Sequence, residues 1–378
     1  MACPTVYIAV HAGAGNHRRS SERSVKLAMK RACTEALRAA SLPGVDVLSI
    51  VERAIIELED DQNLNAGSGS NLTLDGAVEC DAAIMDGRTG SFGGVGAVSE
   101  GVKNPIKLAT AILNHSLKPD RLGRIRPLML VSNGAHLFAM KNGLETVAPE
   151  SMVSSRARMD WRKWVERYSN PSEVEDPGLE AINEDTPQDT VGAVAWDNCG
   201  NVAAGVSSGG LLLKDSGRVG QAAIFGAGCW AQQTSDGHTG MACSISGSGE
   251  YIIRAGLARA IGNAIQVAES PGKLGEADVD VHDLLVTTLT RQFSDPVNED
   301  GVSHPNVGVL LLTKEGQEGG DTIPRLWCAF TATSMAIAYA SSQRPVPKAV
   351  VLRRPQTASR PDMSETHPVF ITALPLHG

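Results

Sequence analysis

Apolar residues recur along this chain with two periods, and the change from one to the other marks its elements. Val25, Leu27, Ala28, Ala32, Ala36 and Leu37 supply one helical side, which predicts a helix over 22–40 that Pro43-Gly44 ends. Val47, Val51, Ala54, Ile55 and Leu58 continue at steps of three and four, with Asp46 placed to cap a second helix. Asn104-Pro105 opens a third, as cap and first helical residue, through 111 or 112. A further helix begins near 134, and Trp161, Trp164, Val165 and Tyr168 among charges predict an amphipathic one over 156–168. Short apolar runs predict strands at 6–10, 92–99 and 127–131, and a hairpin over 72–84 turning at Asp75-Gly76. In the second half a strand from 241 ends in the turn Gly247-Ser248-Gly249, ahead of a helix over 251–258. Then come a helix over 280–293, strands at 307–312 and 326–331, a short helix over 334–340, and strands at 349–352 and 369–374. Helices around largely antiparallel strands favour a layered fold in which helices cover a β-sandwich.

The pattern changes most sharply near the middle. From about 168 to 188 the chain is polar, acidic and broken by Pro171, Pro177 and Pro187, which predicts a flexible exposed segment. It runs directly into Asp189-Thr190-Val191-Gly192-Ala193-Val194-Ala195-Trp196-Asp197, an extended run that pairs across Asp197-Asn198-Cys199-Gly200 with a second run reaching Gly210. A soft linker meeting a buried strand at a hydroxyl residue is what self-cleavage at that residue requires. Cutting the Asp189–Thr190 bond gives Thr190 a free α-amine beside its own Oγ. A threonine hydroxyl needs a neighbouring base to attack, and an α-amine titrating near roughly 7.7–8.0 can take its proton at neutral pH. The competing reading is that Thr190 simply opens an edge strand, where β-branched residues are common.

Other stretches offer chemistry with a plainer alternative beside it. His11-Ala12-Gly13-Ala14-Gly15 follows a strand and resembles a turn that brings amides near a ligand, but it lacks the third glycine of a dinucleotide fingerprint. His11 there either orients the turn or transfers protons. Glu79 and Asp81 share one strand face, positioned for acid/base work, for a hard cation, or to satisfy loop amides. Arg218 lies between glycines after the central hairpin, as a two-pronged anchor for a carboxylate or as a solvent-facing arginine. Ser246 and Gly247, at a strand-to-helix turn, either present a hydroxyl and an amide to a developing oxyanion or form a structural turn.

Composition narrows the class. The chain has 378 residues, a formal net charge of −8 and 42 % hydrophobic residues, enough to bury a large core without favouring nucleic acid. No apolar run approaches the roughly 20 residues that span a bilayer. The opening Met1-Ala2-Cys3-Pro4-Thr5 carries no basic segment before its apolar run, so it reads as the approach to a first strand, not a signal peptide. Seven scattered cysteines form no paired motif, which argues against a metal or disulfide framework and for a reducing cytosolic or nuclear setting.

In combination these motifs resemble the threonine-type N-terminal nucleophile hydrolases, specifically the plant-type asparaginase and taspase (threonine aspartase) family. The resemblance covers nearly the whole chain: the His11 turn, Asn65-Ala66-Gly67-Ser68-Gly69-Ser70, Glu79 to Gly87, and Asp189 to Val194. It continues through Val206-Ser207-Ser208-Gly209-Gly210, Gly217-Arg218-Val219-Gly220-Gln221, Gly228-Cys229-Trp230-Ala231 and Ser246-Gly247-Ser248-Gly249-Glu250. It implies an α+β, four-layer αββα sandwich, the N-terminal nucleophile hydrolase fold. It also implies a precursor cut into an α chain, 1–189, with its acidic linker 169–189, and a β chain, 190–378. The two together make one compact domain, and the αβ pair is expected to dimerise again, or the precursor to form a homodimer. Thr190 is then the nucleophile, Ser208 the hydroxyl that helps activate it, Arg218 the carboxylate anchor, and Ser246 and Gly247 the oxyanion pair. No metal or organic cofactor is expected.

Gln221 separates the branches. Amino-acid-hydrolysing members resembling this chain carry an aspartate three residues after the arginine, where it binds a free α-amine. A neutral glutamine there favours an endopeptidase acting after internal aspartate in protein substrates, and Asp189 places the same residue before the chain's own scissile bond. The Ser207-Ser208 pair and the Gly-Cys-Trp run also resemble taspase. The alternative is a plant-type L-asparaginase or isoaspartyl (β-aspartyl) peptidase. The acidic linker is short here, whereas the animal nuclear enzyme carries a longer segment with a basic import signal. Cytoplasm, with the nucleus as the other compartment, is the expectation.

Overall fold

The strand-forming runs assemble into two sheets in the computed structural model, which describes residues 5–170, 190–233, 240–268, 280–299, 305–316, 322–355 and 369–376. Residues 171–189, which hold most of the predicted flexible segment and Asp189, lie outside the described residues; its first positions, Tyr168 and Ser169, instead end a helix. In chain order the strands of the first half are β1 (Val6–Gly15), β2 (Cys80–Asp86), β3 (Phe92–Val98) and β4 (Met129–Val131). The central hairpin is β5 (Val191–Asp197) and β6 (Val202–Ser208), followed by β7 (Cys229–Gln233) and β8 (Gly240–Gly247). The remainder are β9 (Val307–Gly316), β10 (Thr322–Phe330), β11 (Ser334–Ser341), β12 (Arg344–Arg353) and β13 (Phe370–Pro375). One sheet has the order β12-β11-β1-β5-β6-β2-β3-β4 and the other β13-β10-β9-β8-β7. All these pairings are antiparallel except β3 with β4.

Helices cover both outer faces. On the larger sheet lie α1 (Glu22–Ala40), α2 (Val47–Glu59) and α3 (Pro105–Ser116). Asp46 caps α2 as expected, accepting from the Ser49 amide at 2.9 Å. Its apolar stripe, Ile50, Val51, Ala54, Ile55 and Leu58, is buried against β5 and β6. Each fully buried Ile or Leu contributes about 1.5–3 kcal/mol before chain entropy is set against it. After α4 (Ser132–Lys141) and α5 (Ser155–Ser169) come α6 (Gly249–Ala255) and α7 (Leu257–Ala268), and α7 packs on the outer face of β7 and β8. The order of layers is therefore α, β, β, α.

Strand alternation sorts the side chains between layers. Along β5, Val191, Ala193 and Ala195 join the core under α1–α3, while Val194 and Trp196 join the core between the sheets. Thr190 and Gly192 share the parity of Val194 and so face the inter-sheet side. Gly192 is required there: a Cβ would collide with Ser244 Oγ from β8.

Two expectations are corrected. Residues 334–340 are strand β11, not a helix, set between β1 and β12. Met and Ala are good helix formers, yet Met335 and Ile337 pack between the sheets while Ala336, Ala338 and Ala340 pack under the helices. Burial on two faces with period two overrides local propensity. The hairpin over 72–84 is reduced to its turn and one Leu72–Val78 bridge, with the strand starting only at Cys80. Thr73 and Leu74 pair instead with Lys214, the latter through its amide to the Lys214 carbonyl at 2.9 Å.

Candidate active site

The pairing of β5 with β6 determines the centre of the site. Val191 opposes Ser207, which leaves Thr190 beside Ser208 on the inter-sheet face. Thr190 Oγ1 donates to Ser208 Oγ at 3.1 Å and accepts from Gln221 Nε2 at 3.3 Å. Ser208 Oγ in turn accepts from the Gly210 amide at 3.0 Å. Thr190 is only 3 % exposed, so its hydroxyl is held in one place. Three of the residues singled out in the sequence, Thr190, Ser208 and Gln221, thus share one hydrogen-bonded cluster.

Two asparagines brace this cluster from the small-residue loop. Asn65 and Asn71 both donate side-chain N–H to the Gly210 carbonyl, at 2.9 and 3.0 Å, and the Gly209 amide donates to the Asn65 carbonyl at 2.9 Å. The Asn71 amide donates to Asn65 Oδ1 at 2.8 Å, closing the loop on itself. Sequence reasoning gave these two residues no part in the site. The only available signal was that asparagines bracket a run of glycines and serines.

His11 is placed to orient the turn, through bonds at both ring nitrogens. Its Nδ1 accepts from the Gly13 amide at 3.3 Å, and Ser244 Oγ donates onward to the Gly205 carbonyl at 3.0 Å. The 2.9 Å contact between His11 Nε2 and Ser244 Oγ is therefore donated by the ring, which assigns the neutral tautomer. Complete burial drives its pKa down to about 3, with nearby His17 adding to the fall and a hydrogen bond to the Thr190 backbone opposing it.

Arg218 stands beside the cluster with its orientation set by Glu250. Its Nε donates to Glu250 Oε1 at 2.8 Å, and Nη2 lies 2.7 Å from the same oxygen as an ion pair without a hydrogen-bond angle. Nη1 faces Gly210 and Gly220, while Nη2 and Gln221 Oε1 flank Gly249. One edge of the fork is thus held by Glu250, while Nη1 lies by Gly210, whose amide donates to Ser208 Oγ. The carboxylates Glu79 and Asp81 satisfy loop amides: Glu79 Oε2 accepts from Gly217, and Asp81 from Ala97 and Gly220, each at 2.8 Å.

Ser246 and Gly247 end β8. Ser246 is fully buried and its Oγ accepts from the Ala14 amide at 3.1 Å, which ties β8 to the His11 turn. Gly247 has φ +140°, and a Cβ there would collide with the Asn306 carbonyl, so only glycine suits the turn. Ser246 is drawn to the β1 turn and Gly247 pairs with Val307 of β9, while the Thr190 hydroxyl bonds to Ser208 and Gln221.

Ser207 points the other way. Its Oγ donates to Glu59 Oε1 at 2.7 Å, and the Ile106 amide donates to the same oxygen at 3.0 Å. Burial raises the Glu59 pKa from 4.5 to about 8, against hydrogen bonds from Ser207, Ile106 and Asn104. Glu59 is therefore protonated at neutral pH when folded and ionised when unfolded. Its contribution to stability is complete below pH 4.5 and is lost as pH rises through about 8. Glu59→Gln stays neutral, so wild type is expected to lose about 1.4 kcal/mol per pH unit relative to the variant between these limits. Urea unfolding at pH 5, 6, 7 and 8 checks this, and a constant difference between the two proteins would refute it.

Four layers around a buried threonine that heads a central strand define an N-terminal nucleophile hydrolase. A family model described as Asparaginase matches residues 4–281, and the chain belongs to that asparaginase family. An isoaspartyl peptidase/L-asparaginase of Xenopus laevis is 38 % identical over 270 residues, 71 % of this chain and 79 % of its own length. A plant-type L-asparaginase of Pyrococcus abyssi is 35 % identical over 323 residues, 83 % of this chain and 92 % of its own. An isoaspartyl peptidase of Escherichia coli is 34 % identical over 255 residues, 66 % and 73 % of the two chains.

Proposed function

We propose that this chain is an autoprocessing threonine endopeptidase that cleaves proteins after aspartate. The observation that carries the reading is Gln221, a neutral amide bonded to Thr190 Oγ1 next to the Arg218 guanidinium. Arg218 is suited to a carboxylate. Gln221 offers no charge to hold the α-ammonium that a free amino acid or a β-aspartyl dipeptide brings, and an internal aspartate brings none.

In maturation Thr190 Oγ attacks the Asp189 carbonyl, the acyl group shifts from nitrogen to oxygen, and water releases it, leaving chains 1–189 and 190–378. The freed amine then takes the hydroxyl proton while Ser208 orients Oγ. Oγ attacks the carbonyl carbon after the substrate aspartate, whose side chain lies on Arg218. Ser246 and Gly247 stabilise the tetrahedral oxyanion, the leaving amine departs protonated, and water hydrolyses the ester. The amine supplies the base, and the Ser246 hydroxyl with the Gly247 amide the electrophilic help, so beyond substrate and water each step uses this chain's own groups. Two αβ pairs are proposed to assemble with each other.

The second reading is an L-asparaginase or isoaspartyl peptidase, favoured by the names of the relatives above. Rates on an internal Asp-Gly peptide, free asparagine and a β-aspartyl dipeptide separate the two. Ammonia release from asparagine without peptide cleavage would defeat the endopeptidase. Gln221→Asp installs an anion beside Arg218 and is expected to move preference toward substrates with a free α-amine, by about tenfold or more for one new charge pair at a buried site. An unchanged ratio of the three rates would remove the basis of the discrimination.

A further inference from the structure

We infer that Asp81, assisted by Glu79, is a positioning residue that fixes the loop bearing Arg218 and Gln221 against Thr190. The inference rests on Arg218 as the substrate-carboxylate anchor, which both readings above share. In register, Asp81 lies directly opposite Ser208 across the β2–β6 ladder. Ser208 lies beside Thr190 on the next strand, so the three residues form one row across β2, β6 and the start of β5. Ala83 and Met85, at the parity of Asp81, pack between the sheets, which puts Asp81 on the face of the nucleophile.

Asp81 is fully buried and both its oxygens are engaged. Oδ2 accepts from the Gly220 amide and Oδ1 from the Ala97 amide, each at 2.8 Å. The second bond depends on an irregularity: the β2–β3 register shifts between Cys80 and Ala82, and Ala97 has φ +46°. A non-glycine residue in the left-handed region is strained, and here the strain aims an N–H at the carboxylate. Glu79 Oε2 adds a third bond, from the Gly217 amide at 2.8 Å. The amide one residue before Arg218 and the amide two residues after it are therefore both held by carboxylates from one stretch of chain. Gln221 follows immediately.

Burial pushes the Asp81 pKa up, and the cations Lys214 and Arg218, with the Ala97 and Gly220 amides, oppose that rise. Lys214 is itself buried and donates to the Glu79 carbonyl at 2.6 Å. With both oxygens accepting from amides and two cations alongside, Asp81 is placed to hold backbone in position and not to shuttle a proton. A carboxylate is needed in place of an amide because each oxygen takes an N–H. Asparagine would satisfy one amide and turn an N–H₂ against the other.

The experiment compares the wild-type chain with Asp81→Asn, Asp81→Ala, Glu79→Ala and Glu79→Gln. Hydrogen exchange is followed over 217–221, and KM and kcat on whichever of the three substrates above the wild type hydrolyses. Asp81→Asn is expected to speed exchange over 217–221 about tenfold or more and to raise KM about tenfold, with a smaller fall in kcat, as for one lost charge-assisted bond. Glu79→Ala should raise KM severalfold, and Glu79→Gln, which keeps an acceptor for Gly217, should recover most of that loss. Unaltered exchange over 217–221 in the Asp81 variants, or a fall in kcat with KM unchanged, would overturn the inference. Should Asp81→Ala fail to fold, the isosteric Asp81→Asn and the Glu79 pair decide the matter. Turnover of asparagine alone by the wild type would sink the endopeptidase reading while leaving this comparison intact, and the exchange measurement needs no substrate.

Discussion

Thr190→Ala is expected to purify as one uncut polypeptide and to hydrolyse none of the three substrates measurably, a loss of about ten-thousand-fold or more. The reason is local. The Thr190 hydroxyl is the atom on which Ser208 and Gln221 converge, at 3.1 and 3.3 Å, in a place that is 3 % exposed. Removing Oγ leaves Ser208 next in the row, but Ser208 has an ordinary backbone amide and no α-amine to take its proton. Alanine fits the space and leaves the Val191–Ser207 pairing untouched, so the fold is expected to survive. Thr190→Ser keeps oxygen and amine, and should retain both cutting and turnover at a reduced rate. Intact mass reports the cut and a peptide assay the activity. A Thr190→Ala protein that appears as two chains and remains active would remove Thr190 from the mechanism.

How much of this was legible in the sequence depended on how local each feature is. The hairpin of β5 and β6 was readable because alternation and a tight turn are properties of neighbouring residues. So was the Asp46 cap of α2. Ser208 was named only through the family resemblance, and it is the β5–β6 register that sets it beside Thr190. What could not be read were partnerships set by sheet order. Asn65 and Asn71 act on Gly210, some 140 positions away, and Glu250 acts on Arg218 only because α6 begins beside the arginine loop. Residues 334–340 failed for a related reason: the strand character of an Ala-rich run appears only when β1 and β12 flank it. The Ser207-Ser208 pair, a motif in one dimension, divides into a residue of the site and a partner for buried Glu59, because consecutive strand residues face opposite layers.

Arg218→Ala carries the other large effect, a loss of about 2–4 kcal/mol in transition-state binding, or roughly thirty- to several-hundred-fold in kcat/KM. The guanidinium is mostly buried, its side chain 15 % exposed, with Nε held by Glu250 at 2.8 Å. A substrate carboxylate meeting the opposite edge binds a cation that has already lost most of its water and much of its rotational freedom, so little ordering remains to oppose binding. Alanine removes that anchor and leaves Glu250 and Asp81 facing an incoming anion with Lys214 as the remaining cation of the pair beside Asp81. Repulsion then adds to the lost attraction. Arg218→Lys keeps the charge but not the planar fork, and should fall between wild type and alanine. The telling control is a peptide with asparagine in place of the aspartate. Without a charge to anchor, its slow cleavage should change far less in Arg218→Ala, so that the variant loses discrimination between the two peptides as well as rate. Equal losses on both peptides would mean that Arg218 supports the fold of the loop and not the recognition of the carboxylate.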